Sequence, residues 1–248
     1  MKFARIHRPA FIATAILFTM GGACTLGHAA EAIGTVTHLS GVLSVKHADG
    51  TVKILSAQSR VAQGDVLSTQ TNAYARIKFI DNAELVLRPD SVLKIASYVY
   101  QEAEPKTDSI HLDLQKGGLR AASGVIGQRN HDAVSYTTPD GTIQTLGTNF
   151  GALFCQSDCG GIPTPSGAIP VNGLHVDVTS GIIVVSNRGG TSNFSAGQFG
   201  YVASPSTPPV VIPPNVGLRV TMPPSISTNV PPTGGSGGKS AAVDCVVR

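Results

Sequence analysis

Residues 64–95, GDVLSTQTNAYARIKFIDNAELVLRPDSVLKI, contain three short segments in which apolar and polar side chains alternate. Among the apolar positions, Ile77, Leu85 and Leu93 follow one another at a spacing of eight residues. Alternation of this kind is typical of β-strands that bury one face. Asn, Asp, Pro and Ser residues between the segments favour tight turns. The stretch therefore predicts short strands joined by turns, arranged either as an antiparallel meander or as the rungs of a β-solenoid.

Alternating segments continue on both sides of this stretch. Asp49-Gly50 separates two of them, at residues 42–47 and 51–55, and Asp-Gly in this position is a strong hairpin signal. Further alternating segments follow toward the C-terminus, interrupted by a Gly-, Pro- and Ser-rich loop at residues 155–172. We therefore predict one all-β domain at residues 34–203, with short strands in a meander or solenoid-like arrangement.

The first hairpin is echoed near the end of this domain. Ser-Gly, Val, Gly-Thr and Ser-Ala recur at a nearly constant offset of about 140 residues. The repetition indicates an internal duplication or one structural task performed twice, and chance similarity between Gly-rich hairpins is the alternative. The corresponding positions are Ser40-Gly41, Val45, Gly50-Thr51 and Ser56-Ala57 in the first copy, and Ser180-Gly181, Val185, Gly190-Thr191 and Ser195-Ala196 in the second.

The N-terminus has the pattern of an export signal. Three basic residues precede an apolar run at residues 10–23, which is too short to span a bilayer. Small residues follow, so we predict that residues 1–30 are a cleaved signal peptide and that the mature protein is periplasmic or secreted. The alternatives are an uncleaved anchor or a lipid attached to Cys24, although Gly21 stands where a lipid-attachment site usually has a large aliphatic residue.

The C-terminal part of the chain has a different composition. Residues 204–248 contain repeated Pro-Pro pairs and then a Gly/Ser tract. This composition predicts extended polyproline followed by flexible linker, and hence a disordered tail. No segment after the leader reaches about 18 consecutive apolar residues, so we predict no later transmembrane span.

The charge of the chain argues against a nucleic-acid partner. The formal net charge of +3 comes from the leader, because the rest of the chain has 15 basic and 15 acidic residues. Proteins that bind nucleic acids present a net basic face. We therefore predict no nucleic-acid partner.

Three cysteines follow the predicted leader. In an oxidising compartment a disulfide is the default state, and Cys155 with Cys159 could close the base of the loop at residues 155–172. Cys245 would then be free or would form an intermolecular disulfide. The Cys-x3-Cys spacing has no matching pair of zinc ligands elsewhere in the sequence.

No sequence pattern indicates a catalytic, cofactor or metal site. His131-Asp132 and His175-x-Asp177 have the composition of acid-base pairs, but such pairs are common by chance. GGSGG at residues 234–238 matches the nucleophile elbow of hydrolases only formally, because it lies in the linker. SVLK at residues 91–94 matches a Ser-x-x-Lys motif, but residues three apart in a strand point to opposite faces. We therefore predict no enzymatic activity.

Several short motifs occur in a defined order along the predicted domain. They are G-x-V at Gly34, S-G-x-L-x-V at Ser40–Val45, G-D-V-L-S-T at Gly64–Thr69, A-x-I-x-F-x-D at Ala75–Asp81, L-x-L-x-x-x-S-x-L at Leu85–Leu93, T-P at Thr138-Pro139, L-G-T-x-F at Leu146–Phe150 and S-A-G-Q at Ser195–Gln198. In order and spacing they resemble the FecR-type periplasmic domain, over about residues 34–202. The resemblance implies an extracytoplasmic β module for binding or signalling.

Members of this family are often the periplasmic half of transmembrane anti-sigma regulators, which relay the ligand state of an outer-membrane receptor to a cytoplasmic sigma factor. The sequence shows no N-terminal cytoplasmic helical domain and no span after the leader, so we expect a stand-alone member without the anti-sigma part.

We expect a non-enzymatic recognition module that binds a protein or peptide partner in the cell envelope without a cofactor, with signalling as one role that such binding could serve. Exposed strand edges and the loop at residues 156–172 would hold the partner by strand addition and loop contact. One alternative is a β-solenoid that binds or cleaves an envelope polysaccharide, but its outward acids, Glu84, Asp113 and Asp177, are spread over separate segments. Another is a structural envelope or matrix component, bridged through Cys245.

Overall fold

The computed structural model describes residues 31–226, except residues 160, 163 and 166. The predicted signal peptide therefore lies outside the described residues, as does the end of the chain from residue 227. Most of the described residues are in strands, as the alternating pattern predicts. The strands are β1 (Ala32–Ser40), β2 (Leu43–Lys46), β3 (Val52–Leu55), β4 (Arg60–Ala62), β5 (Val66–Thr69), β6 (Tyr74–Phe79), β7 (Glu84–Leu87), β8 (Val92–Val99), β9 (Ser109–Ala122), β10 (Val134–Thr138), β11 (Gly141–Cys155), β12 (Gly173–Asn187), β13 (Gly190–Ser195), β14 (Phe199–Val202) and β15 (Val210–Ile212).

Helical structure in the described part of the chain is limited to one short α-helix and two 3-10 turns. The helix, α1, spans Val125–Arg129, and the turns span Pro105–Thr107 and His131–Ala133. No helix in this part of the chain is long and apolar enough to cross a membrane.

The strands form one hydrogen-bonded sheet that folds over into two layers. The first layer has the order β4-β1-β6-β7-β9-β11-β12-β14-β15, and the second has the order β3-β2-β5-β8-β9-β10-β11-β12-β13. The three long strands β9, β11 and β12 take part in both layers. All neighbours are antiparallel except β9 and β10, which are parallel.

A glycine lies where each long strand passes from one layer to the other. Gly117, Gly147 and Gly181 have φ angles of 74°, 55° and 77°, respectively. This left-handed region is disfavoured for residues with a Cβ atom. The pairing of β11 with β12 shifts register between Leu146 and Asn149, so β11 bends at Gly147.

The two layers enclose one apolar core. Ile77, Leu85 and Leu93 are all buried in it, as the alternating pattern predicts. However, β7 belongs to the first layer and β8 to the second, because the turn at residues 89–91 carries the chain across. The prediction of an all-β domain of short strands is confirmed, and the strands form one folded-over sheet in which neighbours are not always consecutive along the chain. Periodicity indicates which side chains are buried but not which strand pairs with which.

The repeated sequence pattern corresponds to a repeated arrangement of strands. β1 and β2 are joined through Gly41, and the two parts of β12 meet at Gly181; both glycines have a φ of 77°. β3 and β4 pair with β2 and β1, and β13 and β14 pair with the matching parts of β12. The main chain of Val36 exchanges two hydrogen bonds with residues 58 and 59, as that of Val178 does with residues 197 and 198. The same structural unit thus occurs at both ends of the sheet.

Residues 213–226, which we call the strap, cross the outer face of the first layer. Gly217 lies against the ring of Phe199, and Arg76 Nε and Nη2 donate to the carbonyl oxygen of Ile226 at 3.1 and 2.9 Å. Between these points the strap crosses five strand spacings of about 4.8 Å, or roughly 24 Å. The segment from Gly217 to Ile226 would cover about 28 Å as extended polyproline, which is close to this distance. The strap therefore runs nearly straight across the strands.

The strap follows one row of directly paired residues. Val220 is held in the middle of the row, where Asp177 Oδ1 accepts from its main-chain N–H at 2.8 Å and Arg120 Nε donates to its carbonyl oxygen at 3.0 Å. The structure therefore differs from the expectation of a disordered segment over residues 204–226, and the strap has turns at residues 214–216 and 224–226 with a segment outside regular secondary structure between them. The row consists of Phe199, Asp177, Gly151, Arg120, Val86 and Arg76, on β14, β12, β11, β9, β7 and β6.

Candidate functional site

A cleft of about 320 Å³ opens on the outer face of the first layer, next to the edge strand β15. One wall comes from the excursion loop, residues 156–172, and the other from β15 and the strap. None of the described residues that line the cleft is an Asp, Glu, Lys or Arg. The cleft is therefore suited to apolar groups. Its lining residues are Thr164, Ala168, Ile169, Pro170, Val171, His175, Tyr201, Ile212, Val216 and Leu218.

Both walls are fixed at their base. Cys155 and Cys159 form a disulfide with their Cα atoms 5.6 Å apart, at the start of the excursion loop. At its end, Asn172 Oδ1 accepts from the main-chain N–H of Ser157 at 2.7 Å. The two cysteines also pack with Leu218 of the strap in a small apolar cluster. The loop and the strap thus support each other.

His175 and Tyr201 contribute two rings to the cleft, with centroids 5.0 Å apart. The Tyr201 hydroxyl donates to the carbonyl oxygen of Asn172 at 2.6 Å. His175 Nε2 lies 2.9 Å from the carbonyl oxygen of Val171. A carbonyl only accepts, so Nε2 carries the proton and Nδ1 of the neutral ring is an acceptor. Burial lowers the pKa of His175, which favours this neutral form.

The Nδ1 atom of His175 is buried without a hydrogen-bond partner. Buried polar atoms of this kind are uncommon, and each one calls for an explanation. His175 is also 94% buried.

The surface around the cleft is unusually apolar. β15 pairs with β14 on one side only, so its other edge is free in the described part of the chain. Exposed apolar patches next to a cleft often mark binding surfaces. Half of the ten large apolar side chains that are exposed in the described residues surround this cleft, namely Ile169, Val171, Val210, Val211 and Val216.

Two further pairs of polar side chains were not predicted from the sequence. His47 Nδ1 lies 2.8 Å from Asp65 Oδ1, beside a cavity of about 810 Å³. The other oxygen of Asp65 accepts from the main-chain N–H of Ala62 at 2.8 Å, so this carboxylate holds the turn before β5. His111 Nδ1 lies 2.5 Å from Ser135 Oγ. Neither pair has a sequence signal, because its members are 18 or 24 residues apart.

Residues of the candidate catalytic motifs have hydrogen-bond partners outside those motifs. Asp177 binds Arg120 and Val220, and His175 binds Val171, so these two residues do not form an acid-base pair. Ser91 is buried and its Oγ lies 3.0 Å from the carbonyl oxygen of Gly118, which is a structural role. The side chain of His131 and the GGSGG motif lie outside the described residues.

The outward acids of the solenoid alternative lie on different parts of the sheet. Glu84 is on β7 and Asp177 is on β12, with β9 and β11 between them in the first layer. Asp113 belongs to the second layer, where it is paired with Lys94. The structure does not bring these three carboxylates together.

Comparisons with known proteins relate the chain to one family. The family model described as FecR protein matches residues 65–160, from the turn before β5 to the start of the excursion loop. Among curated proteins, none matches the sequence.

Solved structures show a weaker similarity. Two crystal structures of a protein assigned as an anti-sigma factor from Parabacteroides distasonis ATCC 8503 are 12% and 11% identical, with TM-scores of 0.44 and 0.42. Each match covers 59% of this chain and 58% of that protein, so the chain spans less than two thirds of its length. A cell surface anchoring domain is 27% identical over 25% of this chain and 82% of its own, with a TM-score of 0.25. The family match lies within the region of the predicted motif series, and residues 65–160 of this chain are similar to the FecR protein family.

Proposed function

We propose that this protein is an exported recognition module of the cell envelope, which binds a protein or peptide partner and catalyses no reaction. Residues 65–160 are similar to the FecR protein family, and this resemblance implies a regulator of the envelope rather than an enzyme. The disulfide at the base of the excursion loop suits an oxidising compartment outside the cytoplasm. The observation that carries the proposal is the apolar cleft beside the free edge of β15.

The partner would bind by adding a strand. An extended peptide beside β15 would use the unpaired N–H and C=O groups of the edge for main-chain hydrogen bonds. Its alternate side chains would point to the face that holds the cleft. Ile169 and Val171 of the excursion loop, which are 70% and 60% exposed, would lose their contact with water on binding. The geometry supports the proposal of strand addition together with loop contact.

A photo-crosslinking experiment tests the proposal. A crosslinking amino acid replaces Val211, which is 53% exposed on β15, in the full chain exported by its native host. The matched control carries the same amino acid at Ile54, which is 76% exposed on β3, an edge strand of the second layer. We expect a discrete protein adduct from position 211 and none from position 54. No adduct at 211, or the same adduct from both positions, would contradict strand addition at β15.

The structural alternative depends on Cys245, which lies outside the described residues. It predicts disulfide-linked multimers of the exported protein on non-reducing gels, whereas the recognition proposal does not require them. A monomer under both reducing and non-reducing conditions would remove this alternative.

A further inference from the structure

We infer that the cleft takes an aromatic side chain that carries a hydrogen-bond donor, specifically an indole, from the partner. The inference rests on the proposed function, because it names the anchoring group for the same cleft. His175 Nδ1 would accept the hydrogen bond from that group.

The size and lining of the cleft fit a single ring system. Its volume of about 320 Å³ is at the lower end of the range for small-molecule sites, which suits one large side chain. Its lining includes the aliphatic side chains of Ile169 and Val171 from the excursion loop and of Val216 and Leu218 from the strap. The rings of His175 and Tyr201 add edges and faces for aromatic contact.

The unpartnered Nδ1 atom specifies what the ring must carry. Within the cleft the Tyr201 hydroxyl already donates to Asn172, and His175 Nε2 already donates to Val171. Nδ1 is therefore the acceptor that a ligand can satisfy. A buried acceptor without a partner carries an energetic penalty, which a donor on the ligand would remove. An aliphatic anchor or a phenylalanine would leave that penalty in place.

A ring can reach Nδ1 without disturbing the sheet. Most of the lining residues belong to the excursion loop and the strap, whose fixed points are the disulfide and Val220. Seven of the ten lining residues lie outside the strand ladders, and the other three, His175, Tyr201 and Ile212, are in β12, β14 and β15. Because Nδ1 is shielded from solvent, a ligand must displace some of these seven residues to reach it, and none of the seven belongs to a strand pair.

The sequence also indicates where such an anchor must come from. The chain contains no Trp, so a second copy of this protein cannot supply an indole. The partner is therefore a different protein, with a Trp in or next to an extended segment. Trp is also one of the residues most enriched at the energetic centres of protein interfaces.

A pair of small probes tests the inference on the full mature chain. Indole has an N–H donor, and 1-methylindole replaces it with a methyl group. Burial alone would favour 1-methylindole, because each added methyl group increases apolar burial. A hydrogen bond to His175 Nδ1 reverses this order, and we expect indole to bind about tenfold more tightly. Because the chain has no Trp, the fluorescence of either probe can be followed directly.

Two variants identify the acceptor. His175→Leu should remove the preference for indole, whereas His111→Leu, on the outer face of the second layer, should keep it. The inference is overturned if wild-type protein binds neither probe, binds both equally, or favours 1-methylindole, or if the preference survives in His175→Leu. Failure of the probes together with a protein adduct at Val211 would refute the anchor and leave the proposed function standing.

Discussion

Replacing Asp177 by Ala tests whether a buried ion pair holds the strap on the sheet. In the structure Asp177 Oδ2 accepts from Arg120 Nη2 at 2.6 Å, and Oδ1 accepts from the main-chain N–H of Val220 at 2.8 Å. The Asp177 and Arg120 side chains are only 3% and 5% exposed. The substitution removes both acceptors. It leaves the guanidinium of Arg120 with neutral partners only, Asn149, Thr179 and the Val220 carbonyl.

The expected loss is large because the remaining charge stays buried. Removing one partner of a buried ion pair costs about 3–5 kcal/mol. The free energy of unfolding of a typical domain is about 5–15 kcal/mol, so the variant should lose a substantial fraction of its stability. For a domain of this size the midpoint of thermal unfolding should fall by roughly 6–20 °C.

Urea unfolding of the mature chain measures this loss. The matched control is Lys116→Ala, which breaks the ion pair with Asp158, where the two charged atoms are 3.6 Å apart and the side chains are 48% and 29% exposed. An exposed pair of this kind contributes less than about 1 kcal/mol. If Asp177→Ala costs no more than Lys116→Ala, the pair is not buried beneath the strap. In the double variant Arg120→Leu, Asp177→Leu, the loss should be smaller than the sum of the two single losses.

Three further changes test the walls of the cleft and its floor. Replacing Cys155 and Cys159 by Ser should lower the free energy of unfolding by about 2 kcal/mol, because the crosslink no longer restricts the unfolded chain; wild-type protein in reductant should show the same loss in urea unfolding. In Gly151→Ala the new Cβ would lie 2.5 Å from Val220 Cβ, so amide exchange in the strap should accelerate while exchange in the second layer stays unchanged; equal acceleration in both would contradict a local effect. Because burial lowers the pKa of His175 below its ordinary value of 6.5, the unfolded chain binds the proton first. Stability should therefore fall as the pH drops below about 6.5, and His175→Leu should reduce that fall; an unchanged pH profile would contradict it.

Many strands of this fold could be predicted from the sequence because the alternation of apolar and polar residues is a local signal. Alternation around Ile77 and Leu85 predicts strands with one buried face, and both side chains are buried in the core. The Asp49-Gly50 hairpin is also confirmed, with β2 and β3 paired. Gly147 marks a bend in β11, as an isolated glycine in a strand suggests.

The pairing of the strands could not be predicted in the same way. Leu85 and Leu93 belong to the same eight-residue spacing but lie in different layers, because the turn between them carries the chain from the first layer to the second. A single sequence indicates the buried face of a strand, but its neighbours depend on contacts between distant segments.

The strap and the cleft depend on such distant contacts. Arg76 is 150 residues from Ile226, and Arg120 is 100 residues from Val220. Proline content alone predicts an extended segment, and nothing local shows that guanidinium groups bind its carbonyl oxygens. The excursion loop was predicted as a contact surface. The cleft was not predicted, because the strap forms part of its lining. The unpartnered Nδ1 of His175 was not predicted either.

Amide hydrogen exchange of the full mature chain, alone and with the partner captured through Val211, measures the central claim most directly. Strand addition predicts slower exchange on binding in β15 and in the excursion loop, with β3 unchanged. Slower exchange in β3, with β15 and the loop unchanged, would contradict it and place the partner on the opposite side of the sheet.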